Sequence, residues 1–211
     1  MTEKLTLNPS LYAEATPAGA YFAVAAPVQD TARRLLVQIL REGARAPLTE
    51  ERLATWVGAE GKGQALQLLY RLQRLDFVQG SEAPKVLPED NLETMLPEIL
   101  ARLSDSGRAL LADDNGFYVA CAGFRHESAE EIAALAGDIL GLSSRHALLL
   151  KNNLNISSSA WAISDPAGRS ELGFFPLYLG KQSFVLILGG APQLQSDDFV
   201  MLIQALIHRY S

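Results

Sequence analysis

The chain has 211 residues, 48% hydrophobic and 20% charged, which excludes a disordered chain and leaves enough apolar material for a core. Its net charge of −6 comes from ten basic against eleven acidic residues over 1–90, and eight against thirteen over 91–211. Neither part has the basic excess of a nucleic-acid or anionic-membrane binder, and Cys121, the single cysteine, rules out an internal disulfide or a thiolate metal cluster.

No stretch reaches the roughly 18 apolar residues of a membrane span. The apolar run 19–26 contains an Ala-x-Ala, but Glu14 and Pro17 precede it and no basic cluster leads it. It is therefore read as a short buried strand rather than a signal sequence, and the expected location is cytoplasmic. There the glycosylation acceptor Asn155-Ile156-Ser157 stays idle.

Three helices are predicted next. Asp30 and Thr31 can cap the first, with Leu35, Leu36, Ile39 and Leu40 on one face. Pro47 and Thr49 open the second, with Leu53, Trp56 and Val57 apolar. The third spans about 63–75, turning Ala65, Leu68, Leu69, Leu72 and Leu75 inward, and a short strand follows around Phe77 and Val78. Three helices and a terminal wing suggest a winged-helix-like domain over 1–88. The proline-containing segment 81–91 then serves as a linker to a second domain over 89–211.

In the second half, 92–103 has helical spacing. Asp113-Asp114-Asn115-Gly116 separates two apolar runs and predicts a hairpin with a type I′ turn, in which both central residues take positive φ. Ser128-Ala-Glu-Glu131 reads as a capping box for a helix carrying Ile132, Leu135, Ala136, Ile139 and Leu142. Strands are predicted over 158–164, 171–179 and 183–188, and a last helix begins near Asp197 and Asp198, whose charge suits a helix N-terminus. Phe174 and Phe175 point to opposite faces of their strand, which leaves one of them open to exposure; core packing or dimer contact is the preferred reading. Cys121 is read as a small core residue.

No catalytic constellation emerges. Residues 58–63 place Trp56 where a phosphate-cradling Walker loop needs glycine and Gly63 where it needs Ser or Thr, so they are read as a turn. His126, His146 and His208 lack metal-ligand spacing, and the pairs Asp113-Asp114 and Asp197-Asp198 fall where aspartate makes local turn and cap hydrogen bonds. No cofactor, metal or catalytic residue is expected.

The order helix, two strands, helix, three strands, helix over 91–211 resembles the roadblock (dynein light-chain) family, within the wider profilin-like group. The likeness rests on the opening helix, the Ala-Leu-Leu-Ala-Asp-Asp-Asn-Gly hairpin, the Ser-Ala-Glu-Glu helix and the strand around Phe184-Val-Leu-Ile-Leu-Gly-Gly190. The resemblance implies an α+β fold of α-β-β-α-β-β-β-α order with a five-stranded antiparallel sheet between helices. It further implies a homodimer in which the helix over 129–142 and the strand over 158–164 meet their copies across a two-fold axis. The candidate dimer-interface residues are Ile132, Leu135, Ile139, Trp161 and Ile163. Members of the family scaffold or regulate Ras-like small GTPases or act as motor adaptors, so a small GTPase is the expected partner of a non-enzymatic regulator. The rival readings are a structural adaptor, or a DNA-binding regulator using Lys62, Gln64, Gln67, Arg71, Gln73 and Arg74 of the third helix.

Overall fold

A computed structural model describes residues 5–58, 62–85 and 92–210. The chain opens with strand β1 (Tyr12–Ala15), followed by helix α1 (Pro17–Val24) where a strand was expected over 19–26. Local chemistry explains the correction. Thr16 sits extended at the N-cap and accepts a hydrogen bond from the Gly19 amide through Oγ1, and Pro17 supplies a φ already suited to the first turn. The buried residues Gly19, Ala20, Ala23 and Val24 then lie on one helical face. A Cβ at Gly19 would stand 2.0 Å from the Phe77 carbonyl oxygen, so glycine lets α1 rest directly on the chain entering the next strand.

Helices α2 (Thr31–Glu42), α3 (Glu50–Val57) and α4 (Lys62–Arg74) follow as predicted, with Asp30 and Thr49 capping the first two. Leu35, Leu36, Ile39, Leu40, Leu53, Ala65, Leu69 and Leu72 are buried, and Leu68, Trp56 and Val57 pack against them. Leu75 departs from expectation at 60% exposure. The helix stops at Arg74, the Phe77 amide folds back onto the Leu72 carbonyl at 2.9 Å, and Asp76 takes the left-handed conformation, which swings Leu75 outward. Strand β2 (Val78–Ser81) pairs antiparallel with β1, so this small sheet joins the two ends of the N-terminal half. Of the expected linker, 86–91 lie outside the described residues, as do 59–61 of the glycine-containing segment after α3.

The second half contains α5 (Leu92–Arg102), β3 (Ala109–Asp113), β4 (Tyr118–Ala122), α6 (His126–Arg145), β5 (Trp161–Ser164), β6 (Ser170–Leu179), β7 (Gln182–Gly189) and α7 (Asp197–Tyr210). This is the α+β order implied by the roadblock resemblance, and all five strands form one antiparallel sheet in the order β4-β3-β7-β6-β5. One element is added: a π-helical turn, Leu149–Asn153, in the polar stretch between α6 and β5. Strand β5 is three residues shorter at its start than predicted.

Two local expectations are corrected. In the β3–β4 hairpin only Gly116 has positive φ. Asp113 Oδ1 instead accepts from the Asn115 and Phe117 amides at 3.0 and 2.9 Å, which builds a three-residue loop ending in a left-handed glycine rather than a type I′ turn. Helix α6 starts at His126, two residues before the expected cap; Arg125 is its N-cap residue, and His126 Nδ1 lies 2.7 Å from the Tyr118 hydroxyl.

The sheet is covered on both faces. One layer is α6, whose Ala129, Ala133 and Ala136 pack with Leu110, Ala112, Phe174, Val185 and Ile187; Cys121 is half-buried at its edge. On the other face α5 and α7 bury Leu96, Ile99, Leu100, Leu103, Phe199, Leu202 and Leu206 against Leu111, Leu177, Phe184, Leu186 and Leu188. Phe174 and Phe175 do serve opposite faces, yet neither is exposed, because both faces carry a layer. The apolar cluster of the second face continues without a break into Ala13, Leu35, Leu36, Leu53 and Leu72 of the N-terminal half. Tyr21 of α1 lies 6.1 Å from the Phe199 ring of α7, a direct link between the halves.

His208, near the C-terminal end of α7 and beside Arg41 and Arg45, reports on this junction. Burial first, then the positive charges of Arg45 and Arg41 near α2, hold its imidazole below the ordinary pKa of 6.5, while Glu42 acts in the opposite sense. On acidification through that ordinary value the unfolded chain takes up the proton first, so stability falls as pH falls. The loss of Tm between about pH 7.5 and 5.5 is expected to be smaller in His208→Gln than in the parent, as read by thermal unfolding at the two pH values.

Candidate protein-interaction face

Helix α6 meets the sheet through alanines, and this decides where its larger side chains go. Small residues at 129, 133 and 136 let the helix lie close to β3 and β7. With 100° per residue, Ile132, Leu135 and Ile139 then fall on a flank of the helix instead of beneath it. Ile132 and Ile139 are half-buried against the edge of the cluster between α6 and the sheet, whereas Leu135 is 41% exposed.

The same flank runs into the sheet edge at β5. Among the described residues strand β5 pairs only with β6, in the register Trp161 to Phe174 and Ile163 to Leu172. Opposed residues share a face, so all four side chains point to the α6 side. Trp161 packs against the cluster and donates its indole N–H to Ser143 Oγ on α6 at 2.6 Å, tying edge strand to helix. Ile163, one pleat further, is 50% exposed. The β5–β6 turn is held by Asp165, whose Oδ1 accepts from the Ala167 and Arg169 amides at 2.8 and 2.9 Å. Bonds from Arg169, first its backbone and then its side chain, hold the Asp165 carboxyl below the usual range.

The five candidate residues therefore lie on one side of the molecule, on two adjoining elements. Ile132, Ile139 and Trp161 form a half-buried base, and Leu135 and Ile163 stand out from it. Four further aliphatic side chains not singled out from the sequence, Leu148, Leu149, Leu154 and Ile156 between α6 and β5, are also exposed. The signal was present as leucine spacing after α6, but the polar residues 151–153 and 157–159 gave the stretch the look of a solvated loop. An unpaired strand edge beside exposed aliphatic side chains suits strand-to-strand pairing with another chain.

Other residues weighed from sequence are scattered. His126 sits with Tyr118 and is 3.5 Å from Glu130; His208 faces α2; and among the described residues no group of three metal-ligating side chains forms. Asp113 and Asp165 are engaged in turns, and Asp197 and Asp198 pair with Lys85 and Arg102 at the start of α7. Gln64, Gln67, Arg71, Gln73 and Arg74 are exposed along α4. Among the described residues no helix is long and apolar enough to cross a membrane.

The indole–hydroxyl bond is expected to set the position of the edge strand. Ser143→Ala leaves a half-buried N–H without its partner and is expected to cost about 1–3 kcal/mol in denaturant unfolding, with a shift in tryptophan emission.

No protein-family model matches the sequence, and no curated protein matches it. Among solved structures, the chain is similar to the Roadblock/LC7 domain from Streptomyces avermitilis, at 15% identity and a TM-score of 0.39 over 56% of this chain and 95% of that one. It is also similar to Myxococcus xanthus MglB, at 13% identity and a TM-score of 0.36 over 58% of this chain and 92% of that one.

Proposed function

We propose that this chain is a non-catalytic regulatory or scaffolding protein that forms a homodimer through α6 and β5 and binds a protein partner, a Ras-like small GTPase. The observation that carries the assembly is that Leu135 of α6 and Ile163 of the edge strand β5 are both exposed, on two elements tied together by the Trp161–Ser143 hydrogen bond. A two-fold axis along that edge would continue the sheet into a second copy and remove the aliphatic side chains from water. The partner reading is supported by the roadblock-like order of elements in the second half. In this reading residues 1–88 form a winged-helix-like unit and 89–211 the dimerising unit, both in the cytoplasm. Any effect on nucleotide hydrolysis is exerted by positioning the partner's own catalytic groups.

Leu135→Glu places a carboxylate at the proposed seam, where burial without a partner charge is unfavourable. Light scattering is expected to return dimer mass for the parent and monomer mass for the variant; a soluble dimer of unchanged mass removes Leu135 from the seam.

The partner is tested by titrating purified protein with Ras-like GTPases from its own cells, loaded with GDP or a GTP analogue. Binding that differs at least ten-fold between nucleotide states is expected. Equal or absent binding to all of them leaves a scaffold as the better account. Salt-sensitive DNA binding weakened by Arg71→Ala and Arg74→Ala would instead favour the DNA-regulator reading.

A further inference from the structure

A cavity of about 210 Å³ lies where the N-terminal half meets α7, on the face of the sheet opposite α6. Its walls include Ala13, Ile39, Val200 and Met201, which are apolar, and three ionisable residues: Glu14 of β1, only 8% exposed, and the exposed Lys85 and Asp197. Strand β1 puts Glu14 there. Its residues 13–15 are all buried beside α2, β2 and α7, so the side chain is largely removed from bulk water and reaches it only past Lys85 at the rim.

The two carboxylate oxygens differ. Oε2 accepts from Gln79 Nε2 at 3.4 Å and lies 3.9 Å from Lys85 Nζ. Oε1 is buried and, among the described residues, receives no hydrogen bond. Neighbouring polar groups are engaged elsewhere: Thr16 Oγ1 with the Asp76 carbonyl and the Gly19 amide, and Gln204 Nε2 with the Leu40 carbonyl. Lys85 is shared with Asp197, whose oxygens it approaches at 3.3 and 3.4 Å, and stays 58% exposed at the rim. A buried carboxylate with an unsatisfied oxygen is expensive, and a cationic donor entering beside it would relieve that cost.

We propose that this cavity binds a small alkylammonium group, its alkyl part against Ile39, Val200 and Met201 and its N–H groups on the Glu14 carboxylate. An ammonium offers three donors and a positive charge where the protein supplies acceptors and negative charge. A neutral alcohol of the same shape fills the apolar part without compensating the carboxylate, and an acid adds like charge. Lys85 acts as the built-in competitor, since its own ammonium lies against the same carboxylate from the rim. Ligand entry therefore weakens a contact between residue 85, at the end of the first half, and the start of α7.

The test is a titration of the full chain with n-butylammonium, n-butanol and butyrate, followed through the Met201 methyl resonance. Butylammonium is expected to bind at least ten-fold more tightly than butanol, with butyrate weakest. Glu14→Gln should abolish the preference for the cation. Lys85→Met should raise butylammonium affinity several-fold, and this second variant keeps the test informative if Glu14→Gln does not fold. Equal affinity for cation and alcohol, no binding of butylammonium, or an unchanged affinity in Lys85→Met overturns the proposal. An alkylammonium can belong to a free amine or to a lysine of another protein. Tighter binding of butylammonium than of Nα-acetyl-lysine N-methylamide assigns the free amine, and the reverse order assigns the side chain.

Discussion

Strand β7 is buried along both faces, and the need for two separate covering layers organises the molecule. Phe184, Leu186 and Leu188 project to one side, and Val185 and Ile187 to the other, with β3 and β6 closing both edges. Burying such a run requires an apolar layer above and below. Helix α6 provides one, and α5 with α7 the other. The alternation of Phe174 and Phe175 on β6 follows from the same demand.

The two layers differ in depth, with consequences for function. The α6 side is a thin, alanine-lined contact, so the bulkier residues of that helix lie beside the sheet, and among the described residues the adjoining β5 edge has no strand beyond it. The α5–α7 side is thicker because the N-terminal half packs onto it, extending one apolar cluster from Ala13 to Ile207. The face proposed for assembly is therefore the one the chain leaves uncovered. The buried carboxylate lies on the other side, where two halves with different packing directions meet and leave space.

Much of this was legible locally. Asp30 and Thr49 announced their helices because a short polar side chain before an apolar stripe satisfies free amides. The element order of the second half followed from changes of hydrophobic period. The reading failed where two local codes overlapped. Gly19 to Val24 is apolar enough for a strand, but Thr16-Pro17 starts a helix, and only contact with Phe77 shows why a glycine stands there. Asn115-Gly116 suits a two-residue turn, yet the carboxylate of Asp113 captured two amides and made a longer one.

What the sequence determined by itself was the inventory: which segments are helical or extended, where most of them begin, and an α+β order with five strands in the second half. These depend on interactions within a few residues. Tertiary structure alone decided which flank of α6 would be covered, since Ala133 and Leu135 belong to the same apolar segment and only packing against β3 and β7 separates them. It also decided the partner of β2, over sixty residues away along the chain, and the placing of Glu14 in an apolar cavity. Such outcomes depend on distances between elements, and no local spacing of residues encodes those distances.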